Sequence, residues 1–520
     1  MNTDDEAAPT CRRAPEPPVR VRSEAGIPWL SRPSLLVAAL ALASTMGCSQ
    51  EAGQPGVSGA EAEKPAEGEA MLEDRVDAVF QEWDRDDTPG CAAGAIQDGE
   101  LVHSGGYGVA DLEEGRPLDD ESVFYLASVT KQFTSGVVAD LALEGELDLD
   151  DSLAEWFPEL PDWARDVRIR QTANNVSGIR DYLDLMRVAG WDFADVYTAD
   201  DILGLIARQQ DLSFDAGERY LYSNANFFLQ ALLVERATGE SLRDYAHQRF
   251  FEPLGMDLTH FHDDHTEPVT NRVLSYEPAG EENGSSGSGR DFELSYMENT
   301  DWIGAGAGNL HTTIRDLARW EAHIQDLEEE GDPWIEKVRT PGVTLDGDTV
   351  DYAFGTRLAH WNELATVGHG GGWMGFRNHY LRFPEQRFAV AVLCNLGTVN
   401  PAELAREVAA IYLKEKIHRA LEPFEGLYRS ADVDGAEYRV VAEDGGLVLE
   451  RLREGDRTEL QPTGEPSKYE GTWDYDGDTR SMDVVFESPS PGEEGDAPAP
   501  ALEVSTGRAW DVRFERVEGP

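Results

Sequence analysis

Apolar and polar positions change period several times along the chain. Met71, Val76, Val79, Phe80 and Trp83 fall on one face of a 3.6-residue helix. The stretch "GCAAGAIQDGELVHSGGYGVAD" follows as two short runs joined by Asp98-Gly99, the pattern of a β-hairpin. Residues 121–320 read mostly as helix, with breaks at "GERYLYSNANF" and at the Gly/Ser loop "AGEENGSSGSGR". Inside this region Val129, Phe133, Val137 and Leu141 recur every four residues, an apolar stripe. Ala139 and Ala142 permit close packing, and Gly145 can end the helix. "TVGHGGGWMGFRNHYLRFPEQRFAVAVLCN" predicts two or three strands, the last a continuous apolar run over Phe388–Cys394, with a helix over 401–417. Strands at both ends with helices between them give an α/β (α+β) layer, a sheet flanked by helices with an all-helical insert. Beyond residue 420 the pattern alternates with period two and turns about every ten residues, which predicts a small antiparallel β-sandwich or barrel.

The first residues fit no such element. Arg20, Arg22 and Arg32 precede an apolar run from Leu35 to Ala43, too short to span a bilayer, and small residues and Cys48 follow. This reads as a signal peptide over 1–48 with a lipobox-like end, although Thr45 stands where leucine is usual. Cys48 is then the lipid-bearing residue. Ser49 behind it points to the outer membrane, and to a periplasmic or cell-surface protein held to the membrane only through a lipid anchor. Residues 49–70 are low-complexity, a flexible linker. The expected boundaries are 71–418 for the main domain and 419–520 for the C-terminal β domain.

Charge narrows the partners. The 520 residues carry 44 basic and 100 acidic side chains, a net −56. Such a chain repels phosphate, which argues against nucleic acid and anionic membrane surfaces. Acidity spread over the whole length reads as a solvated surface suited to a salty medium rather than as a binding patch for cations. Two cysteines remain after export, Cys91 and Cys394, and the residues alone favour two buried free thiols while leaving a disulfide open. "DYDGDTR", Asp474 to Arg480, has half a calcium-loop pattern without its closing Glu and reads as a plain turn. No H-E-x-x-H or Cys/His cluster appears in the sequence, and no metal or cofactor is implied.

Only six of the basic residues are lysines, and Lys131 lies in the apolar helix, one turn after Ser128. Ser128 falls at the helix start, where backbone N–H groups point outward. Lys131 shares its face. Burial disfavours an ammonium, and a neutral amine beside a hydroxyl is a general base for a nucleophile. A capping serine with a solvated lysine would produce the same four letters.

The S-x-x-K does not stand alone. "LYSNANF", with Tyr222 and Asn224, and "GHGGGWMGF", with His369, Gly370 and Gly371, follow it in that order. Together with "GAGNLHTTIRDLARW" and "FFEPLGMDLT", these segments resemble the serine hydrolases of the class C β-lactamase and DD-peptidase type, from about residue 75 to 415. The resemblance implies a β-lactamase/transpeptidase-like fold. It makes Ser128 the acylated nucleophile and Lys131 a group that takes its proton. Tyr222 becomes a second base, with the choice between the two open. Asn224 would orient Lys131 and meet the substrate, and His369 would face the pocket. Backbone N–H groups of Ser128 and Gly372 would form the oxyanion hole. Gly370, Gly371 and Trp373 would line the pocket, with Met374 beside Trp373 on an apolar wall. The same likeness makes the first and last sheet strands antiparallel neighbours and so raises a Cys91–Cys394 bridge.

Two departures bear on substrate. Asn175 in "TANNVSGI" stands where the family commonly has His, and the third motif is His-Gly-Gly rather than Lys-Thr-Gly. Without that fixed positive charge, a carboxylester or peptide-like amide is favoured as substrate. A β-lactam, a D-alanyl-D-alanine stem or another peptidoglycan peptide is the alternative. An inactive penicillin- or peptidoglycan-binding protein is the rival from another class. No G-x-S-x-G elbow is present, against an α/β-hydrolase fold.

Overall fold

Strand β1 (Cys91–Gln97) turns through Asp98 and Gly99, both at positive φ, into β2 (Glu100–Tyr107). A two-residue turn of this hand matches the twist of the strands it joins. The computed structural model describes residues 67–193, 195–280, 291–295, 305–443, 445–475, 478–488 and 497–517. Three more strands follow late in the chain: β8 (Leu364–Trp373), β9 (Phe376–Phe383) and the wholly buried β10 (Phe388–Cys394). Before them come the short β3 (Phe124–Tyr125), β4 (His260–Phe261), β5 (Leu310–Thr312), β6 (Tyr352–Ala353) and β7 (Thr356–Trp361). The main sheet is antiparallel with order β6-β7-β8-β9-β10-β1-β2. The strands of this sheet that come first and last in the chain, β1 and β10, therefore lie side by side, and β3-β5-β4 form a separate small sheet.

Helices cover both faces. On one side α1 (Glu67–Val79) and α6 (Pro401–Tyr412) pack against the sheet through Val76, Phe80, Leu404 and Val408. On the other lie α2 (Lys131–Glu144), α3 (Tyr182–Ala189), α4 (Asn224–Thr238) and α5 (Ile314–Glu330). The stripe expected on α2 is buried, but so is nearly every other residue from Lys131 to Leu141. α2 is a central helix, not a half-exposed one. Its polar side chains are matched rather than solvated: Thr134 donates to the Gly306 carbonyl, Ser135 to Gln230 Oε1, and Arg249 clasps Asp140.

The chain departs from its sequence pattern in three further places. Met71 is 67% exposed, because α1 begins at Glu67 and only its second half reaches the sheet. The helix expected over 401–417 breaks at Leu413 into α6 and α7 (Lys414–Leu421), with Leu413 turned into the core. Cys91 and Cys394 are directly opposed across β1 and β10 and form a disulfide, which corrects the free-thiol reading.

Strands β11 to β18 (from Gly426–Arg429 to Ala509–Val517) close into an eight-stranded antiparallel barrel. Ile417 and Leu421 of α7 belong to one apolar cluster with sheet residues such as Phe388 and barrel residues such as Tyr428. α7, buried on one side through Ile417 and Leu421 and running through the expected 418/419 boundary, thus joins the two regions. The Asp474–Arg480 segment runs from the end of one strand into the start of its antiparallel partner, pairing Tyr475 with Asp478; residues 476–477 are outside the described ones. Cys48, the leader and most of the linker are also outside them. No helix among the described residues is long and apolar enough to cross a membrane.

Candidate active site

Ser128 sits in a one-turn 3₁₀ helix, Ala127–Thr130, that leads straight into α2. Its predecessor Ala127 has φ of 50°, a left-handed conformation that costs a non-glycine residue of order 1–3 kcal/mol and is held here by its surroundings. Part of that hold is β8. A Cβ on Gly371 would fall 2.2 Å from the Leu126 carbonyl oxygen, so only glycine lets the strand pass this close to the nucleophile turn.

Lys131, one turn on, is 0% exposed. Its Nζ lies 3.0 Å from Ser128 Oγ, 2.9 Å from Asn224 Oδ1 and 2.7 Å from the Ala307 carbonyl oxygen. Burial lowers its pKa from the usual lysine value to about 7, against the opposing charge of Asp181. A neutral amine has two N–H bonds and one lone pair. The Asn224 and Ala307 oxygens can only accept, so they take both hydrogens and leave the lone pair to Ser128.

Tyr222 approaches Oγ from the other side, its hydroxyl 2.7 Å away. Burial raises its pKa well above the ordinary phenol value, so it stays protonated near neutrality. The turn that presents it is clamped by Asn175. The Asn175 backbone carbonyl accepts from Leu221 N–H, and its Oδ1 accepts from Ser223 N–H and Asn226 Nδ2. Asn175 does this at φ 55°, where asparagine is among the tolerated residues. Its place in the motif is therefore structural.

Asp181 went unnoticed in the sequence. It caps α3 by accepting from the N–H groups of Leu183 and Asp184, and its other oxygen accepts from Asn224 N–H and Nδ2. It thereby fixes which end of the Asn224 amide faces Lys131. "IRDYLD" carries a readable helix-start signal, but nothing in it announces a contact with a residue in another motif.

His369 is buried rather than facing the cleft, 6% exposed and stacked obliquely on Tyr222 with ring centres 5.9 Å apart. Its Nδ1 lies 2.5 Å from the Gly370 carbonyl, which can only accept, so the proton is on Nδ1. Nε2 then accepts from Tyr352 O–H at 3.1 Å. Burial, reinforced by Lys131, lowers its pKa to about 3, so it is neutral. Its role is to back Tyr222.

The cleft above these groups has a volume of about 320 Å³. Tyr125, Ser128, Asp181, Asp184, Arg187 and Tyr222 line it, with Gly372 and Trp373 on the β8 side. Gly370 and Gly371 are not among the residues that line it. Trp373 meets Phe193 edge-on, and a shallower extension past it reaches Met374 and Arg377.

Comparisons with known proteins bear on the family and the fold. The Beta-lactamase family profile matches residues 75–413. A D-aminopeptidase from Cereibacter sphaeroides (strain ATCC 17023) is 30% identical over 311 residues, 59% of this chain and 57% of its own length. The octameric penicillin-binding protein homologue from Pyrococcus abyssi superposes with a TM-score of 0.55 at 21% identity, covering 86% of this chain and 99% of that one. The D-amino acid amidase from Ochrobactrum anthropi SV3 does so with a TM-score of 0.54 at 20% identity, over 66% of this chain and 99% of its own. At these identities the structural likeness speaks for the fold.

Proposed function

The chain belongs to the Beta-lactamase family of serine hydrolases, and from that premise we propose that it hydrolyses amides or short peptides whose acyl residue carries a free amino group. One observation carries the hydrolase part: a fully buried Lys131 with a pKa near 7, hydrogen-bonded to Ser128 Oγ at the floor of an open cleft.

In the proposed cycle Ser128 Oγ attacks the substrate carbonyl and its proton passes to Lys131 Nζ. The oxyanion is received by the N–H groups of Ser128 and Gly372. Tyr222 gives its phenolic proton to the departing amine as the C–N bond breaks, and the Lys131 ammonium restores it. The proton lost by Ser128 thus ends on the amine. Water then attacks the acyl-enzyme along the reverse path.

Charge at the cleft supports the amino-group reading. Asp181 and Asp184 line it against a single cation, Arg187, which is itself paired with Asp184 at 2.7 Å. That lip favours an ammonium and offers no unpaired cation for the carboxylate of a penicillin or a C-terminal peptide. His369, neutral and occupied by Tyr352, cannot supply one. The name of the D-aminopeptidase relative supports the same choice and adds the D configuration. The extension past Trp373 gives room for a second residue. Export with lipidation at Cys48 belongs to this proposal, supported by the leader alone.

A panel tests it: D- and L-alanine p-nitroanilides, their N-acetyl forms, p-nitrophenyl butyrate and a chromogenic cephalosporin. We expect the free-amino D substrate to exceed its acetylated form at least tenfold in kcat/KM. Equal or faster turnover of the acetylated form would overturn the amino-group reading, and preferred cephalosporin turnover would replace it with a β-lactamase.

A further inference from the structure

His260 and His311 are cross-strand partners on β4 and β5, and His262 follows His260 by two residues. Residues two apart on an extended chain point to one side, and a directly opposed residue joins them there. The three rings meet accordingly. His260 and His311 stack with centres 5.4 Å apart, and His262 lies 4.9 Å from His311. One ring nitrogen from each falls within 4.8 Å of the other two. The sequence hid this cluster because His311 comes far later in the chain than the His-x-His pair.

We propose that His260, His262 and His311 bind a divalent ion that favours imidazole, with Zn²⁺ the best match. The spacing fits in detail at one edge. Zn–N bonds of about 2.0–2.1 Å in a tetrahedron place ligand nitrogens roughly 3.3 Å apart. His260 Nε2 and His262 Nδ1 are 3.3 Å apart. His311 Nδ1 faces the Asn309 carbonyl at 3.4 Å, which fixes its proton there and leaves Nε2 with a free lone pair, the arrangement in which an outer carbonyl orients a metal-bound imidazole.

The surrounding charges are mixed. Arg272 faces His262 and His311, while Asp263 and Glu267, both paired with Arg243, lie toward His260 and His262. His262 and His311 are 1% exposed, and the half-exposed His260 leaves the open side to water as a fourth ligand. The site is apart from the nucleophile. It meets the cleft at Tyr125, which lines the cleft and meets the His311 ring edge-on at 5.5 Å. Zinc here ties β4 to β5 beneath the nucleophile turn and acts on stability rather than on the substrate carbonyl.

The test uses the untagged full chain, stripped with a chelator and refilled with ZnCl₂ or CoCl₂. Millimolar Mg²⁺ and Ca²⁺ are present to occupy surface carboxylates. We expect one equivalent of zinc by elemental analysis and a visible cobalt spectrum of low coordination number. We also expect a melting temperature that rises with zinc. His262→Ala and the milder His260→Gln should lose the equivalent and the spectrum, with affinity down at least a hundredfold. A stripped wild-type chain that is folded by circular dichroism yet takes up no stoichiometric zinc or cobalt would overturn the proposal. So would uptake unchanged in the folded His260→Gln protein, which would place the ion elsewhere. Ser128 acylation is scored separately, so neither result bears on the hydrolase reading.

Discussion

Replacing Asp181 by Asn separates two tasks that its carboxylate performs at once. One oxygen accepts both Asn224 N–H and Nδ2, and the other caps α3 through Leu183 and Asp184. An Asn must turn its NH₂ toward one of these donor pairs, so either the half-buried Asn224 donors or the more exposed cap N–H groups face a donor, at a cost of about 1 kcal/mol. If Asn224 swings in response, Lys131 loses an acceptor and kcat/KM falls roughly 10- to 100-fold. The second task is electrostatic, since Asp181 favours the Lys131 ammonium. Two charges bridged by one amide group are roughly 7 Å apart and interact by about 2 kcal/mol at an effective dielectric near 20. Solvent in the cleft screens part of this, leaving a shift of about one pH unit. The assay is kcat/KM against pH from 5 to 10. Wild type should rise to a plateau through a midpoint near 7, as Lys131 gives up its proton. Asp181→Asn should rise through a midpoint about one unit lower and reach a lower plateau. The plateau reports positioning and the midpoint reports charge. A midpoint that stays fixed or moves upward would refute the electrostatic link between Asp181 and Lys131.

Three other outcomes follow from the same contacts. Tyr222→Phe, which removes the hydroxyl 2.7 Å from Ser128 Oγ, should lower kcat by about 10²- to 10³-fold on amides; steady-state kinetics on a folded variant checks this. Lys131 titrates near 7 when folded and near its ordinary lysine value when unfolded. Between those values the unfolded chain holds the extra proton, so this group's contribution to stability rises with pH by about 1.4 kcal/mol per unit. Urea unfolding of wild type and Lys131→Met should show a gap favouring the variant at pH 7 that narrows toward pH 10, and a constant gap would contradict the buried neutral amine. The double variant Cys91→Ala/Cys394→Ala, which opens a bridge across a separation of 303 residues, should lose about 2–4 kcal/mol of unfolding free energy at unchanged kcat.

Local patterns carried much of the fold. The Asp98-Gly99 hairpin, the buried β10 run and the alternation beyond residue 420 each follow from spacing that one element imposes on its own residues. Closure of that last segment into a barrel depends on β11 meeting β18, a pairing no local window records. The full burial of α2 is of the same kind, because the stripe shows one face and the neighbours that cover the others come from distant segments. At the site, Ser128, Lys131, Tyr222 and Asn224 converge as their motifs implied, while His369 lies behind Tyr222 instead of facing the cleft. Asp181 and Tyr352 escaped notice because a cap and a packed tyrosine have common structural uses, and Asn175 stood out only as a departure from the family pattern, not as the clamp it forms. Their roles appear only when another motif is folded against them.

Everything proposed for the site depends on Lys131 activating Ser128. The most direct measurement is the rate of fluorophosphonate labelling between pH 5 and 9, read by intact mass and peptide mapping on wild type, Ser128→Ala and Lys131→Met. One adduct is expected on Ser128, formed at a rate that climbs through pH near 7, absent from Ser128→Ala and slowed at least a hundredfold in Lys131→Met. A folded wild-type protein that gains no adduct, or one that labels equally fast without Lys131, would contradict it.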